Sequence, residues 1–309
     1  MKTSSRAPGV RGTRSKGEGA RAMTEFLQLT VYGIVLGSII SLGAIGLSLV
    51  YGILRFPHFA HGDLITLGAY LALVVVTALN APVLVALPVG VAGTAAVAVA
   101  IDQVLYRRLR RVAPVILLIA SVGVALILRS LIQIIWGPSN QVYEQGIQFP
   151  WRIMGVGIKP DHLIIVGGAA VLVVALHLFL QKTKTGKAMR AMSDNADLAQ
   201  VTGIKVNNVI IWTWIIGGGL AAAAGIFLAM DTRLHPVMGW RLLLPVFAAA
   251  ILGGIGRPYG AIVGGLIIGL AQEYSTTVIN PSYKPAVAFA IMVAMLVVRP
   301  TGLFAGKKA

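Results

Sequence analysis

Within six residues the chain places His58, His61 and Asp63, three side chains able to carry a proton, accept a hydrogen bond or hold a metal ion. They follow Arg55-Phe56-Pro57 and precede a long apolar run, so they mark a break between two membrane-grade segments. A charged group at the bilayer centre costs at least about 2.5–3.5 kcal/mol on insertion scales, so such groups usually pair or face a cavity. The favoured reading is a polar staple in which His61 bonds Asp63 and holds the break. A substrate-pathway role for His58, His61 and Asp63 comes second. Zinc comes last, because the spacing matches no dedicated site and too few ligands lie nearby. Elsewhere, Arg129 and Gln133 stand one helical turn apart and Glu273 closes a later apolar run. Arg129 either snorkels to an interface or pairs inside a bundle with an acid such as Glu273. His177 reads as interfacial. No nucleophile–base pairing stands out, and there is no G-x-x-x-x-G-K-[ST] phosphate loop.

Residues 181–208 form the one long polar, basic, helix-prone stretch, QKTKTGKAMRAMSDNADLAQVTGIKVNN. A helix of this kind between membrane spans contributes little to holding a bundle together and offers a soluble partner a place to push. Asp197, Ala199 and Gly203 fall at i, i+2 and i+6, so a short helix ending at the glycine fits them. The competing reading is an amphipathic helix lying on lipid headgroups. Asp194 and Asp197 argue against it, since anionic lipid repels them.

The elements that position these groups follow from composition. The 309 residues are 57% hydrophobic and only 12% charged, with mean hydropathy +0.84. A soluble domain carries about a quarter of its residues as charges, so the chain reads as one polytopic membrane domain. The net charge of +16 does not indicate nucleic acid. Most of it lies beside apolar runs, where Lys and Arg set orientation and meet lipid headgroups. Cysteine is absent, which removes thiol chemistry and leaves the redox compartment open.

Nine apolar segments approach the length a span needs, roughly 26–50, 62–80, 83–101, 113–136, 162–180, 209–230, 242–255, 260–275 and 285–299. The predicted fold class is all-α, a transmembrane bundle of about 8–10 spans, some broken or re-entrant. Breaks at 55–63 and 253–260 point to a pathway, adding Gly254, Gly256 and Glu273 to the candidate pathway residues. Small-residue pairs Gly33/Gly37, Gly260/Gly264 and Gly265/Gly269 predict close helix packing. If the segments alternate, the basic stretches at 106–111, 181–208 and the C-terminal tail share one side, expected to be the cytoplasm. Loops 137–161 and 231–241 then face outside. Residues 1–22 are basic and apolar-poor and are expected to be disordered. They fall on the unfavourable side, which favours Met23 as the natural start of a 23–309 transmembrane domain.

Several stretches in order resemble the branched-chain amino acid permease family of ABC importers. Gly46-Leu47-Ser48-Leu49-Val50-Tyr51-Gly52, Phe59-Ala60-His61-Gly62-Asp63 and Leu67-Gly68-Ala69-Tyr70 match its first half, with His58 where an Asn is usual. Asp197-Leu198-Ala199 through Gly203 resembles the E-A-A-x-x-x-G loop of ABC permeases, with Asp for Glu and Leu for the first Ala. Leu252-Gly253-Gly254-Ile255-Gly256, Gly260 through Gly265, and Arg299-Pro300-Thr301-Gly302-Leu303-Phe304 match its last third. The resemblance implies a permease subunit of the bacterial cytoplasmic (inner) membrane that is not itself an enzyme. Its partners would be a second, related permease subunit or a second copy, two ATPase subunits that bind the ATP and magnesium, and a periplasmic binding protein. This chain would hold no cofactor of its own. Gly186, Met189, Arg190, Asp194, Asp197, Ala199 and Gly203 would dock in an ATPase groove and carry its closure to the spans. Relatives assigned to urea, short amides and aromatic acids keep the substrate open, and an ion-coupled transporter or passive channel remains the alternative class.

Overall fold

A computed structural model describes residues 12–110, 112–143, 150–153 and 155–304 of the protein. Inside a bilayer each backbone N–H and C=O must be satisfied within its own segment, and a helix does this. The described residues form α1 (Gly12–Leu54), α2 (His61–Leu79), α3 (Val83–Ile101), α4 (Arg107–Leu109), α5 (Pro114–Trp136), α6 (Pro160–Lys182), α7 (Lys184–Asp194), α8 (Ala196–Val201), α9 (Val206–Asp231), α10 (Met238–Gly253), α11 (Pro258–Ser275) and α12 (Lys284–Val298). A π turn at Asp102–Tyr106 joins α3 to α4. Proline begins α5, α6 and α11, where its missing N–H would be unsatisfied anyway.

Among the described residues seven stretches are long and apolar enough to cross a membrane: Met23–Leu54, His61–Leu79, Val83–Leu109, Pro114–Trp136, Pro160–Lys182, Val206–Asp231 and Pro281–Val298. The expected segments at 242–255 and 260–275 are helices too. At 16 residues α10 is short, and α11 carries glycines and a polar C-terminal turn that dilute its hydropathy. The backbone of α1 extends through residues 12–22, where disorder was expected. An apolar helix already formed propagates at little cost into the residues beside it. Residues 1–11 lie outside the described residues.

Helices α1 and α9 form the centre. Almost every side chain from Val35 to Val50 is buried, and α9 inserts Gly217 through Ala224 between its neighbours with hardly any exposed surface. By contrast α5, α6 and α12 present Ile127, Ile134, Val171, Val174 and Val297 outward, as helices bordered by lipid tails do. The crossing of α1 and α11 is the most extensive. A Cβ on Gly269 would overlap the backbone of Gly37, and one on Gly265 would overlap Ser41. Here Ser41 Oγ donates to the Ile262 carbonyl at 2.9 Å. Small residues let two backbones approach until dispersion and such a bond hold them together.

Strands β1 (Trp151–Ile153) and β2 (Val156–Ile158) pair antiparallel within the long loop before α6. Gln28 seats this hairpin on α1, donating to the Gly157 carbonyl at 3.0 Å and accepting from the Gly157 N–H at 2.8 Å. Residues 144–149 of the loop lie outside the described residues. The ends of α1, α6 and α9 meet α7 at one end of the bundle, and α7 packs on α8. Leu303 N–H donating to the Leu252 carbonyl at 2.8 Å and Arg110 reaching Asn207 at 3.4 Å close it. Most described Lys and Arg side chains gather there: Arg107, Arg108, Arg110, Lys182, Lys184, Lys187, Arg190, Lys205, Arg257 and Arg299.

Candidate functional site

The six candidate pathway residues do not converge. His58 and His61 enter an aromatic cluster, Asp63 a separate ion pair, Gly254 and Gly256 the turn between α10 and α11, and Glu273 the opposite end of the bundle.

The segment from Arg55 to Ala60 breaks the helix because Arg55 adopts φ +59°, a left-handed conformation that side chains with a Cβ rarely take. The chain then doubles back into the bundle. His61 Nε2 donates to the Gly43 carbonyl at 2.9 Å, and Gly43 lies about 16 Å short of Leu54 along α1 at 1.5 Å per residue. Helix α2 therefore starts at mid-bundle depth. His58 is buried, with Nε2 3.1 Å from the Tyr106 hydroxyl and its ring edge-on to Trp214 at 4.9 Å. Tyr106 in turn stacks on Trp214 at 5.4 Å. The Phe59 N–H donates to Ser121 Oγ at 3.1 Å, a further stitch across the break.

Two sequence expectations are corrected here. His61 does not bond Asp63: its Nε2 goes to the Gly43 carbonyl, while Arg129 takes both Asp63 oxygens. Arg129 does not pair with Glu273 and does not snorkel. Its Nε and one terminal nitrogen each donate to an Asp63 carboxylate oxygen at 3.1 Å, and its guanidinium lies 4.6 Å from the Trp240 ring centroid. Asp63 is fully buried, and a forked, bidentate guanidinium is the partner best able to satisfy such a carboxylate. Glu273 instead takes Lys284 at 2.6 Å, while Gln272 donates to the Lys284 carbonyl at 3.0 Å. His177 Nδ1 lies 3.0 Å from the Tyr259 hydroxyl. Among the described residues no cluster of three metal-binding side chains occurs.

At the other end, α7 begins where Thr183 Oγ1 accepts from the Gly186 N–H at 2.9 Å, and α8 where Asn195 Oδ1 accepts from the Leu198 N–H at 3.0 Å. Both satisfy an orphan N–H of the first turn. Helix α8 ends at Gly203, φ +87°. The Gly203 N–H bonds the Gln200 carbonyl at 3.0 Å and the Ile204 N–H bonds the Ala199 carbonyl at 3.2 Å, the paired closure that a glycine in this conformation permits. Among the seven coupling candidates, Gly186, Met189 and Ala199 are buried by this chain itself. A Cβ on Gly186 would overlap the backbone of Phe179 and Leu180. Arg190, Asp194, Asp197 and Gly203 are exposed, so these four of the seven stand open at the surface while the buried three anchor the segment. Exposed beside them are Leu198 (65%) and Val201 (85%), which the sequence reading passed over although their apolar character on a polar helix was a usable signal. Thr183→Ala should remove about 1 kcal/mol of capping. Amide hydrogen exchange at Gly186 should then quicken about fivefold, and an unchanged rate would show that the cap is idle.

One contact joins this segment to the break. The Arg55 guanidinium donates to the Ser193 carbonyl of α7 at 2.5 Å. Beside it, Leu49, Gly52, Met189, Arg190, Tyr259 and Phe304 line a cavity of about 540 Å³. A second cavity of about 660 Å³ opens at the opposite end, where Arg233, Arg241, Asp231, Glu273 and Lys284 bring charge to an apolar wall. Burial, and then the nearby Arg241, lowers the pKa of His235 on its rim.

With this geometry in view, comparison with known proteins is specific. Residues 29–296 match the family described as the permease component of branched-chain amino acid transport systems. The high-affinity branched-chain amino acid transport system permease protein BraD of Pseudomonas aeruginosa is 32% identical over 297 residues, covering 90% of this chain and 95% of that protein. LivH of Escherichia coli, of the same description, is 32% identical over 294 residues, with the same coverage. A probable LivH of Methanocaldococcus jannaschii is 30% identical over 287 residues, 87% of this chain and 90% of that one. In fold, the chain is similar to a chain of PsaBC from Streptococcus pneumoniae solved in complex with Fab, at TM-score 0.51 and 16% identity, covering 94% and 98% of the two chains. A multi-pass bundle with paired breaks, a capped basic segment between spans and a family match over nearly the whole length agree, and the chain belongs to the permease-component family of branched-chain amino acid transport systems.

Proposed function

We propose that the protein is the membrane-spanning subunit of an ATP-driven importer for branched-chain or closely related amino acids. It works by alternating access in the bacterial cytoplasmic membrane. The basic end holding α7 and α8 faces the cytoplasm, following the Lys/Arg bias of membrane proteins. ATP and magnesium are bound by two separate ATPase subunits, and a second permease chain completes the path. A binding protein delivers substrate to the opposite end, at the 137–161 and 231–241 loops.

The observation that carries this reading is the build of α7 and α8. Met189, Met192 and Ala199 sink into the bundle while Arg190, Asp194, Asp197, Leu198 and Val201 project from it. A segment capped at each start, anchored on one side and free on the other, is suited to receive force from a docked partner. A helix lying on lipid would not expose two carboxylates beside its free apolar groups.

The test is affinity capture of the chain from the cells that natively express it, probing for a copurifying ATPase. Wild type should bring down the ATPase in stoichiometric amount. The double variant Leu198→Glu/Val201→Glu should lose at least nine-tenths of it, with the permease yield unchanged because both side chains are largely exposed. Retention of the ATPase by the variant, or its absence from wild type, overturns the proposal. Gly203→Arg is a poorer probe, since φ +87° would strain any side chain there and disturb the turn itself.

A further inference from the structure

The 660 Å³ cavity has a chemistry that narrows the substrate. The segment 232–237 does not run across the end of the bundle but descends into it. The Gly239 N–H donates to Thr66 Oγ1 at 3.1 Å, and a Cβ on Gly239 would overlap the Gly62 carbonyl oxygen. The first turn of α10 thus lies level with the first turn of α2, at mid-bundle. Arg233 and Arg241 flank this descent and open onto the cavity. Among the described residues neither guanidinium has a hydrogen-bond or ion-pair partner. Elsewhere in the bundle Asp63 pairs with Arg129, Asp102 with Arg110 and Glu273 with Lys284. Two exposed guanidiniums without a partner among the described residues therefore face one cavity. They are the forked donors best matched to a carboxylate.

An acid stands on the same wall. Asp231 keeps 24% of its side chain exposed, with His162 Nε2 at 3.5 Å as its recorded partner, a separation too long for a strong hydrogen bond. The wall between the charges is aliphatic, with Leu36, Leu228 and Leu242 contributing. Its size falls within the range of small-molecule sites, about 300–1,000 Å³.

Resting on the proposed importer function, we propose that this cavity receives the substrate as a zwitterionic α-amino acid. Arg233 and Arg241 take its carboxylate, Asp231 its ammonium group, and Leu36, Leu228 and Leu242 its aliphatic side chain. Urea and simple amides lack both charges and leave the guanidiniums unsatisfied. A monocarboxylate satisfies the arginines but not Asp231. The site is open on one side, so it binds weakly and passes its occupant on.

The absence of cysteine from the chain supplies the assay. Asn140, on the cavity wall, is changed to Cys in the full complex, and maleimide labelling of that single thiol in this chain is followed with and without ligand. L-Leucine at 20 mM should slow labelling at least threefold. Isovalerate, isobutylamine and isovaleramide, each lacking one or both charges, should slow it less than half as much. Adding Arg241→Gln or Asp231→Asn should abolish protection by leucine while leaving the unprotected labelling rate and the copurifying ATPase unchanged, which shows an intact fold. Equal protection by leucine and isovaleramide, or full protection in Arg241→Gln, overturns the assignment. Uptake of labelled leucine into vesicles by the same complex separates the two levels. Uptake without protection overturns the cavity assignment alone. Uptake of a neutral amide in place of leucine overturns the amino-acid importer reading, and the cavity assignment with it.

Discussion

Arg129→Gln should destabilise the protein by about 3–5 kcal/mol, the usual cost of leaving one member of a buried ion pair alone. Asp63 has no solvent access, and both its oxygens are held by the Arg129 fork at 3.1 Å. With glutamine in place of arginine the carboxylate must either stay charged without its cation or take up a proton. Asp63→Asn should cost less than Arg129→Gln. The stranded guanidinium keeps 17% exposure and the Trp240 face at 4.6 Å, where cation–π attraction is worth about 0.5–2 kcal/mol. The double variant Asp63→Asn/Arg129→Gln should recover at least half of the arginine loss, because two neutral amides of similar shape can bond one another. Thermal unfolding of the four proteins in one detergent gives the coupling energy directly. Losses that are small and additive would mean that water reaches the pair and that it does not hold α5 against α2.

The second large effect concerns coupling. Arg55→Gly should leave the importer assembled and hydrolysing ATP while uptake per ATP falls about tenfold. Arg55 is the contact between α7 and the break, through its 2.5 Å bond to the Ser193 carbonyl. A hydrogen bond from a charged donor is worth about 1.5–3 kcal/mol, and tenfold corresponds to about 1.4 kcal/mol. Glycine is the informative replacement. It accepts φ +59° without a Cβ penalty, so the backbone of the break is preserved and only the link is cut. Arg55→Lys should restore part of the uptake, since an ammonium group reaches the same carbonyl with one donor in place of a planar fork. ATPase rate and labelled-substrate uptake measured on the same vesicles decide the matter. If both fall in proportion, Arg55 supports assembly and does not transmit motion.

Read from the amino-acid order alone, the class of protein, its nine apolar segments and its two breaks were all legible. Each rests on a property local to the chain: hydropathy summed over about twenty residues, or a Gly/Pro cluster that no membrane helix carries without a reason. The helix end at Gly203 was equally local, and the caps Thr183 and Asn195, which the sequence reading passed over, sit immediately before the helices they start. What the sequence left open was every contact across the bundle. His61 and Asp63 are two residues apart and were expected to meet, yet on a helix such neighbours point to different faces, and each found its partner on another helix, Gly43 on α1 and Arg129 on α5. Glu273 was one of two alternatives for Arg129, chosen on charge alone, although α11 packs on α1 and α10 while α5 packs on α2. The burial of Gly186, Met189 and Ala199, the reach of Arg55 to Ser193 and the meeting of Arg233 with Arg241 at one cavity likewise depend on which helices lie side by side. Periodicity and hydropathy constrain one helix at a time, whereas neighbour choice is set by shape at crossings such as Gly37 on Gly269, and that shape exists only once the chain has folded.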